Sequence, residues 1–132
     1  MYSISHVAIS VTDMDQSIDF YKTFGFKVVK TWQANDNSLR ITHLSLNNMV
    51  IEIFCYTNHL ELPNHSKLLS TDLPVIGTKH FAFGVKNIHH AYDDLLDKKV
   101  IKDNVTITTG RLGKQYFFIK DPDGILIEII EI

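Results

Sequence analysis

SHVAISV, at residues 5–11, recurs as KHFAFGV at residues 79–85. Both stretches alternate apolar side chains with small or polar ones, which is typical of a β-strand with one buried face. Each is followed by a stretch with apolar residues at helical spacing, namely Met14, Ser17, Ile18 and Tyr21 in the first copy and Ile88, Ala91, Tyr92 and Leu95 in the second. The two halves of the chain therefore repeat one pattern of strand and helix.

Three further strands are predicted after each helix, at residues 27–32, 40–46 and 49–56 and again at 105–109, 116–120 and 125–130. The turn sequences NN at 47–48 and DPDG at 121–124 join antiparallel neighbours. Asp13 and Asn87 are the predicted N-caps, and Gly25 is a predicted helix stop. The sequence thus predicts an α+β fold of two tandem βαβββ modules that form a concave, mixed or antiparallel sheet. In this single domain, module one spans 1–57, a connector with one helical turn near Ser66 to Leu69 spans 58–77, and module two spans 78–132.

The composition of the chain is that of an ordinary globular domain. It has 132 residues, 45% of them hydrophobic, and a formal net charge of −2. A chain of this size buries roughly two-thirds of its unfolded surface, so it needs no metal to stabilise its core. No basic run or long apolar stretch is present, residues 1–6 lack the basic and apolar regions typical of a signal peptide, and Cys55 is the single cysteine. We expect a cytoplasmic protein that binds neither nucleic acid nor membranes.

Glu52 and Glu128 are unusual because each lies in a strand that is apolar on both faces. A buried carboxylate needs a cationic partner, and neither strand contains Lys or Arg. His6 and His80 lie in the first strand of each copy and have small neighbours on their own face of the sheet. Two imidazoles and two carboxylates at equivalent places would suit a divalent metal with room for substrate. Taken singly, each His is better explained as hydrogen-bonded in the sheet, and each Glu is explained as well by solvation on an open face.

Other candidates carry less information. His43 either faces the same cavity or lies on the surface or in the core, and Cys55 is expected to be a small buried hydrophobic residue. A Ser-His-Asp triad, a phosphate-binding loop and a dinucleotide fingerprint are absent from the sequence.

These motifs resemble the vicinal oxygen chelate superfamily, specifically its short bacterial glyoxalase I (lactoylglutathione lyase) type. The resemblance spans nearly the whole chain and rests on HVAI at 6–9 with DMDQSIDFY at 13–21, VIEI at 50–53, KHFAF at 79–83, and KDPDG at 120–124 with Ile127-Glu128. Relatives that cleave catechol rings use His, His and Glu, and the methylmalonyl-CoA epimerase type carries Gln at the place of Glu52.

The resemblance implies a homodimer in which His6 and Glu52 of one chain meet His80 and Glu128 of the other around one divalent metal. Short members favour Ni²⁺ or Co²⁺, with Zn²⁺ as an alternative. The implied reaction converts a hemithioacetal of methylglyoxal and a thiol into the thioester through an enediolate, as part of methylglyoxal detoxification. Glu128 is then the expected base, with Glu52 as its counterpart for the other stereoisomer.

The chain departs from the family where glutathione is held. Glutathione-using members carry Arg four residues after the first ligand and Asn four residues after the second, whereas this chain has Ser10 and Tyr56. Arg111 and Lys114 would bind a substrate carboxylate if their loop faces the site. Together with Ser10, Phe54 and Tyr56 they are the five expected substrate-binding residues.

Two alternatives to the glyoxalase hypothesis stay open. One is another metalloenzyme of the same fold, either an epimerase or a dioxygenase. The other is a metal-free protein that binds a small molecule or antibiotic through Trp32, Phe54, Tyr56 and Phe118. The second alternative would leave Glu52 and Glu128 buried without a partner.

Overall fold

The structure is a computed structural model that describes all 132 residues of the chain. The chain divides into two compact units, Met1–Glu61 and Leu62–Ile132. The division between these units, after Glu61, falls within residues 58–77.

The first unit has the predicted βαβββ order. Its elements are β1 (Val7–Ser10), α1 (Met14–Lys22), β2 (Lys27–Gln33), β3 (Leu39–Leu46) and β4 (Met49–Tyr56). The strands form one sheet in the order β1-β4-β3-β2, with β1 parallel to β4 and the other pairs antiparallel. The parallel strand β1 thus lies beside the last strand of the unit.

Helix α1 covers one face of this sheet and creates the core of the first unit. The predicted stripe of Met14, Ser17, Ile18 and Tyr21 is buried as expected. On the sheet, Leu44, Ile51 and Ile53 are fully buried. The Asp13 side chain accepts a hydrogen bond from the Gln16 backbone N–H at 2.9 Å, which confirms the predicted N-cap. The opposite face of the sheet is left without a helix from its own unit.

The second unit repeats this architecture. After a 3₁₀ turn at Asn64–Lys67 come α2 (Leu69–Asp72), β5 (Phe81–Val85), α3 (Ile88–Asp97), β6 (Thr108–Thr109), β7 (Gln115–Lys120) and β8 (Leu126–Glu131). The sheet order is β5-β8-β7-β6, again with a parallel first pair. Asn87 caps α3 by accepting from the His90 N–H at 3.0 Å. The fold is thus α+β as predicted, with one four-stranded mixed sheet in each unit.

The turn between β7 and β8 shows why the DPDG sequence stands there. The Asp121 carboxylate accepts hydrogen bonds from the backbone N–H groups of Asp123 and Ile125, both at 2.9 Å. Gly124 has φ of +86°, a conformation that side chains with a Cβ rarely adopt. This turn sets the register in which β8 presents Glu128.

The largest errors in the predicted strand boundaries concern the starts of three strands. β6 is two residues long instead of spanning 105–109, because it is an edge strand and only Thr108 and Thr109 are paired with β7. The first strands of both units begin one residue after the histidine, since ladder pairing starts at Val7 and Phe81. His6 and His80 therefore immediately precede the strands to which they were assigned.

The edge strand β2 differs from the other strands of its sheet. All seven of its residues are exposed, including Val28, Val29 and Trp32. Its pairing with β3 shifts register between Val28 and Lys30. This irregularity bends the strand at the outer side of the sheet.

A buried carboxylate anchors the segment that leads into β5. Asp72 is 4% exposed; it accepts a hydrogen bond from Ser66 Oγ at 3.1 Å, and its Oδ2 lies 3.5 Å from Lys79 Nζ. Lys79 Nζ also donates to the Asp72 backbone carbonyl at 2.9 Å. The residue before His80 is therefore fixed by an ion pair with Asp72, the last residue of α2, which lies beyond the helical turn predicted near Ser66 to Leu69.

None of the helices has the length and apolar character that would let it cross a membrane.

Candidate active site

The first His–Glu pair lies on the face of the first sheet that α1 does not cover. The parallel register places Ala8 beside Glu52, so a small side chain flanks the carboxylate. His6 Nε2 lies 3.6 Å from Glu52 Oε1, and the two side chains are 39% and 20% exposed. His6 Nδ1 shares a hydrogen bond with Ser5 Oγ at 2.9 Å. The nitrogen directed at the carboxylate is therefore Nε2.

The second pair has the same construction. Ala82 lies beside Glu128 in the parallel register of β5 and β8. His80 Nε2 lies 3.3 Å from Glu128 Oε2, with 21% and 18% of the two side chains exposed. His80 Nδ1 is buried and has no hydrogen-bond partner. Both units thus direct the Nε2 atom of one histidine at a half-buried carboxylate.

His43 is the residue whose role sequence reasoning left undecided. It lies directly across from Glu52 in the antiparallel pair of β3 and β4. His43 Nε2 donates a hydrogen bond to Glu52 Oε2 at 2.5 Å, since an ionised carboxylate can only accept. Its ring stacks on that of His6 with centroids 6.1 Å apart. The sequence does carry a signal for this position. Alternation along β3 places His43 on the face opposite to Thr42 and Leu44, both of which are buried.

The carboxylates are not left without partners, contrary to the expectation from the sequence. Glu52 contacts two imidazoles and Glu128 contacts one. A neutral histidine is not a cationic partner, yet its ring N–H can still donate a hydrogen bond to a carboxylate. The burial of these two residues therefore no longer argues against a metal-free binding protein.

The donor set matches the chemistry of a divalent metal but is not complete in either unit. Imidazole nitrogens and carboxylate oxygens are ligands of Zn²⁺, Ni²⁺ and Co²⁺. No group of three or more His, Cys, Asp or Glu in the chain is arranged to hold a metal ion. In the first unit His43 hydrogen-bonds to Glu52 instead of pointing with it at a common centre. Neither His–Glu pair by itself supplies the three or more ligands of such a site.

Three of the five predicted substrate-binding residues share a face with Glu52. Ser10 is exposed beside Phe54 in the parallel register of β1 and β4. Phe54 and Tyr56 stack with ring centroids 6.5 Å apart and an interplanar angle of 11°. Trp32, named in the binding alternative, is 54% exposed and pairs with Ile41 across β2 and β3. This aromatic surface extends along the sheet from the carboxylate.

The other two predicted substrate-binding residues, Arg111 and Lys114, lie in the loop between β6 and β7. The loop is closed by a backbone hydrogen bond from Gly110 N to Lys114 O at 2.8 Å. Both side chains are exposed, and neither makes an ion pair. They are free to bind an anion.

Gly84, a small residue on the same face of the sheet as His80, does not leave open space beside it. A Cβ on Gly84 would lie 2.9 Å from the side chain of Ile132. Ile132 donates its backbone N–H to the Val85 carbonyl at 2.9 Å, which holds it against β5. Gly84 therefore accommodates the last residue of this chain, whereas Ala82 flanks the second carboxylate.

Comparison with known proteins identifies the family. Residues 3–129 match the model of the Glyoxalase/Bleomycin resistance protein/Dioxygenase superfamily. The chain belongs to this superfamily. The vicinal oxygen chelate resemblance inferred from the sequence is thereby confirmed.

Individual relatives of this superfamily cover nearly the whole chain. The uncharacterized protein YwkD of Bacillus subtilis is 29% identical over 98% of this chain and 96% of its own length. A mitochondrial methylmalonyl-CoA epimerase of Dictyostelium discoideum is 29% identical over 97% of this chain and 77% of its own length. A lactoylglutathione lyase of Schizosaccharomyces pombe is 27% identical over 98% of this chain and 47% of its own length. Among solved structures, a glyoxalase family protein from Enterococcus faecalis has a TM-score of 0.80 and 25% identity, with 98% of this chain and 97% of that chain covered.

Proposed function

We propose that the protein is a metal-dependent lyase of the glyoxalase I type, which converts the hemithioacetal of methylglyoxal and a thiol into the thioester. The observation that carries the proposal is the repetition of one construction, a His Nε2 directed at a half-buried Glu beside an Ala, in both units. The superfamily includes glyoxalase I and methylmalonyl-CoA epimerase, and its members typically bind a divalent metal. Similarity to the Schizosaccharomyces pombe lyase supports the proposal.

In this proposal His6, Glu52, His80 and Glu128 are the ligands of one divalent metal, with Ni²⁺ or Co²⁺ favoured over Zn²⁺. Proteins of this superfamily commonly form dimers that act on small molecules, and the proposed state of this chain is a homodimer. When bound, the ion supplies Lewis-acid stabilisation of the negative charge that develops on the substrate oxygens.

Proton transfer is assigned to the carboxylates of this chain. Glu128 takes the proton from C1 of the hemithioacetal, the electron pair of that bond forms the C1–C2 double bond of the enediolate, and the π pair of the C2 carbonyl moves onto the C2 oxygen. The same carboxylate returns the proton to C2, the C1–C2 π pair forms the new C2–H bond, and the C1 hydroxyl proton moves to the C2 oxygen as the C1 oxygen becomes the thioester carbonyl. The reaction is an isomerisation and needs no oxidant. A carboxylate that is 18% exposed keeps contact with water low during this exchange.

The thiol is not fixed by the proposal. Ser10 and Tyr56 replace the Arg and Asn that bind glutathione in family members, so the tripeptide would lack two polar partners. The exposed Arg111 and Lys114 carry the charge needed to bind a substrate carboxylate in their place.

Methylmalonyl-CoA epimerase is the second candidate because a specific similarity favours it. The Dictyostelium discoideum epimerase matches over 77% of its own length, compared with 47% for the lyase. The chemistry is related, since both reactions move a proton at a carbon beside a carbonyl. Glu52, where the epimerase type carries Gln, argues for the lyase.

The proposal is tested by metal content and turnover measured on the same preparation. The protein is stripped, reloaded with Ni²⁺, Co²⁺ or Zn²⁺, and assayed for thioester formation from methylglyoxal with glutathione or other thiols. Incorporation of deuterium from D₂O into methylmalonyl-CoA is followed in parallel. Stoichiometric metal with thioester formation supports the lyase, and deuterium uptake alone supports the epimerase. Absence of bound metal together with absence of both activities would contradict the proposal and favour a binding protein.

A further inference from the structure

The two carboxylates differ in what lies opposite them in the sheet. In the antiparallel pair of β3 and β4, His43 lies across from Glu52. At the equivalent place in β7 and β8, Phe118 lies across from Glu128. The two units repeat each other closely in this region, but one carboxylate faces an imidazole and the other a phenyl ring.

This difference restrains Glu52 more than Glu128. Glu52 Oε2 accepts the 2.5 Å hydrogen bond from His43, and its Oε1 lies 3.6 Å from His6 Nε2. Both oxygens of Glu52 therefore face an imidazole. The His43 side chain is itself held, since it belongs to a central strand of the sheet and stacks on His6.

Glu128 has a single partner. Its contact is with His80, at 3.3 Å through Oε2. Phe118 meets the His80 ring edge to face, with centroids 4.8 Å apart, and offers the carboxylate no hydrogen bond. Glu128 can therefore rotate with less loss of bonding than Glu52, because a charge-assisted hydrogen bond must be broken to move the latter.

We propose that His43 is a positioning residue that holds Glu52 in place, so that Glu128 alone transfers the proton and only one diastereomer of the hemithioacetal is turned over quickly. This inference rests on the proposed function. It deepens that function by naming the residue that makes the site stereoselective.

The first test measures stereoselectivity in a single turnover. Metal-loaded protein in excess is mixed with the hemithioacetal formed from methylglyoxal and glutathione, and the amplitude of the fast phase is recorded. The wild type is expected to consume about half of the substrate in the fast phase, because the two diastereomers form in similar amounts. His43→Phe, which installs the residue found at the equivalent place, is expected to raise the fast fraction towards all of the substrate.

Two further variants separate positioning from general damage to the site. His43→Gln keeps an N–H donor and is expected to restore the half amplitude of the wild type. His90→Phe, on the exposed surface of α3, is the matched control and is expected to leave the amplitude unchanged. A fast phase that consumes all of the substrate in the wild type, or an unchanged amplitude in His43→Phe, would overturn the inference while leaving the lyase function intact.

The second test does not depend on activity. In the metal-free protein, the ¹⁵N resonance of His43 Nε2 is expected to move in Glu52→Gln and to stay in place in Glu128→Gln. If no thioester forms with any metal, the lyase function is wrong, and the stereoselectivity is wrong with it. A His43 resonance that still responds to Glu52→Gln would then show that the contact between His43 and Glu52 exists and that the error lies in the proposed function. A resonance that does not respond overturns the positioning role itself.

Discussion

Ser5 Oγ lies 2.9 Å from His6 Nδ1, on the side of the ring away from Glu52. If His6 binds a metal through Nε2, that nitrogen must be unprotonated, and Nδ1–H then donates to Ser5. Outer hydrogen bonds of this kind orient a ligand and fix its tautomer.

Ser5→Ala is therefore expected to weaken metal binding by about 10-fold or more, the lower end of what loss of such a partner costs. Titration of the stripped protein with Ni²⁺, followed by calorimetry, measures the change. Ser3→Ala, in the same exposed segment, is the control and should bind like the wild type. Equal affinities of the Ser5 and Ser3 variants would exclude the orienting role of Ser5.

Glu128→Gln is expected to keep the fold and the metal-binding histidines but to lose turnover by about 100-fold or more, because the amide cannot accept the proton from carbon. Steady-state thioester formation gives the loss, and circular dichroism verifies the fold. Glu61→Gln changes an exposed carboxylate and should be silent. Near-normal turnover in Glu128→Gln would assign the proton transfer to another residue.

Metal is expected to stabilise the protein without being required for folding, because each unit has its own apolar core. At free Ni²⁺ of 100 times the Kd, binding adds about 2.7 kcal/mol to the free energy of unfolding, so the Tm should rise with metal concentration. His80→Ala should lose most of this gain, whereas the exposed His89→Ala should keep it. A rise in Tm that is the same in both variants would point to metal binding elsewhere.

Asp72→Asn is expected to lower the free energy of unfolding by about 2 kcal/mol, since it removes the charge that holds Lys79 and weakens the bond from Ser66. Urea denaturation measures the loss. Asp93→Asn, on an exposed face of α3, is the matched control and should change stability little. If the two variants unfold at the same urea concentration, the Asp72 ion pair contributes nothing measurable.

Installing the family's glutathione contacts should show whether Ser10 and Tyr56 set the choice of thiol. The double variant Ser10→Arg with Tyr56→Asn is expected to lower KM for the glutathione hemithioacetal by about 10-fold, the value of one or two charge-assisted hydrogen bonds. Ser3→Arg adds the same charge outside the sheet and should leave KM as it is. An unchanged KM in the double variant would place the thiol contacts elsewhere in the chain.

The fold could be predicted from the sequence because its signals are local and occur twice. The helical stripe of Met14 to Tyr21, the caps Asp13 and Asn87, and the DPDG turn each fix a few residues of backbone independently of the rest. The starts of the strands were harder to predict. β6 begins only where ladder pairing begins, and pairing is a property of two segments together and not of one stretch of sequence.

The candidate site was predicted in part for a related reason. Alternation within each strand indicates which side chains share a face with His6 and which share one with Glu52, but the partner of Glu52 depends on the register between β3 and β4. Only that register brings His43 opposite the carboxylate. The occupation of the space beside Gly84 by Ile132 depends in the same way on contacts between separate segments.

The outer strand β2 presents unpaired backbone groups and exposed Val28, Val29 and Trp32, a combination that invites edge-to-edge association and aggregation. Lys27 and Lys30 flank the two valines, and the shift of register between Val28 and Lys30 keeps the edge from being flat. The bend and the two charges thus protect this exposed edge strand from association. Replacing both lysines with apolar residues is expected to lower the solubility of the protein.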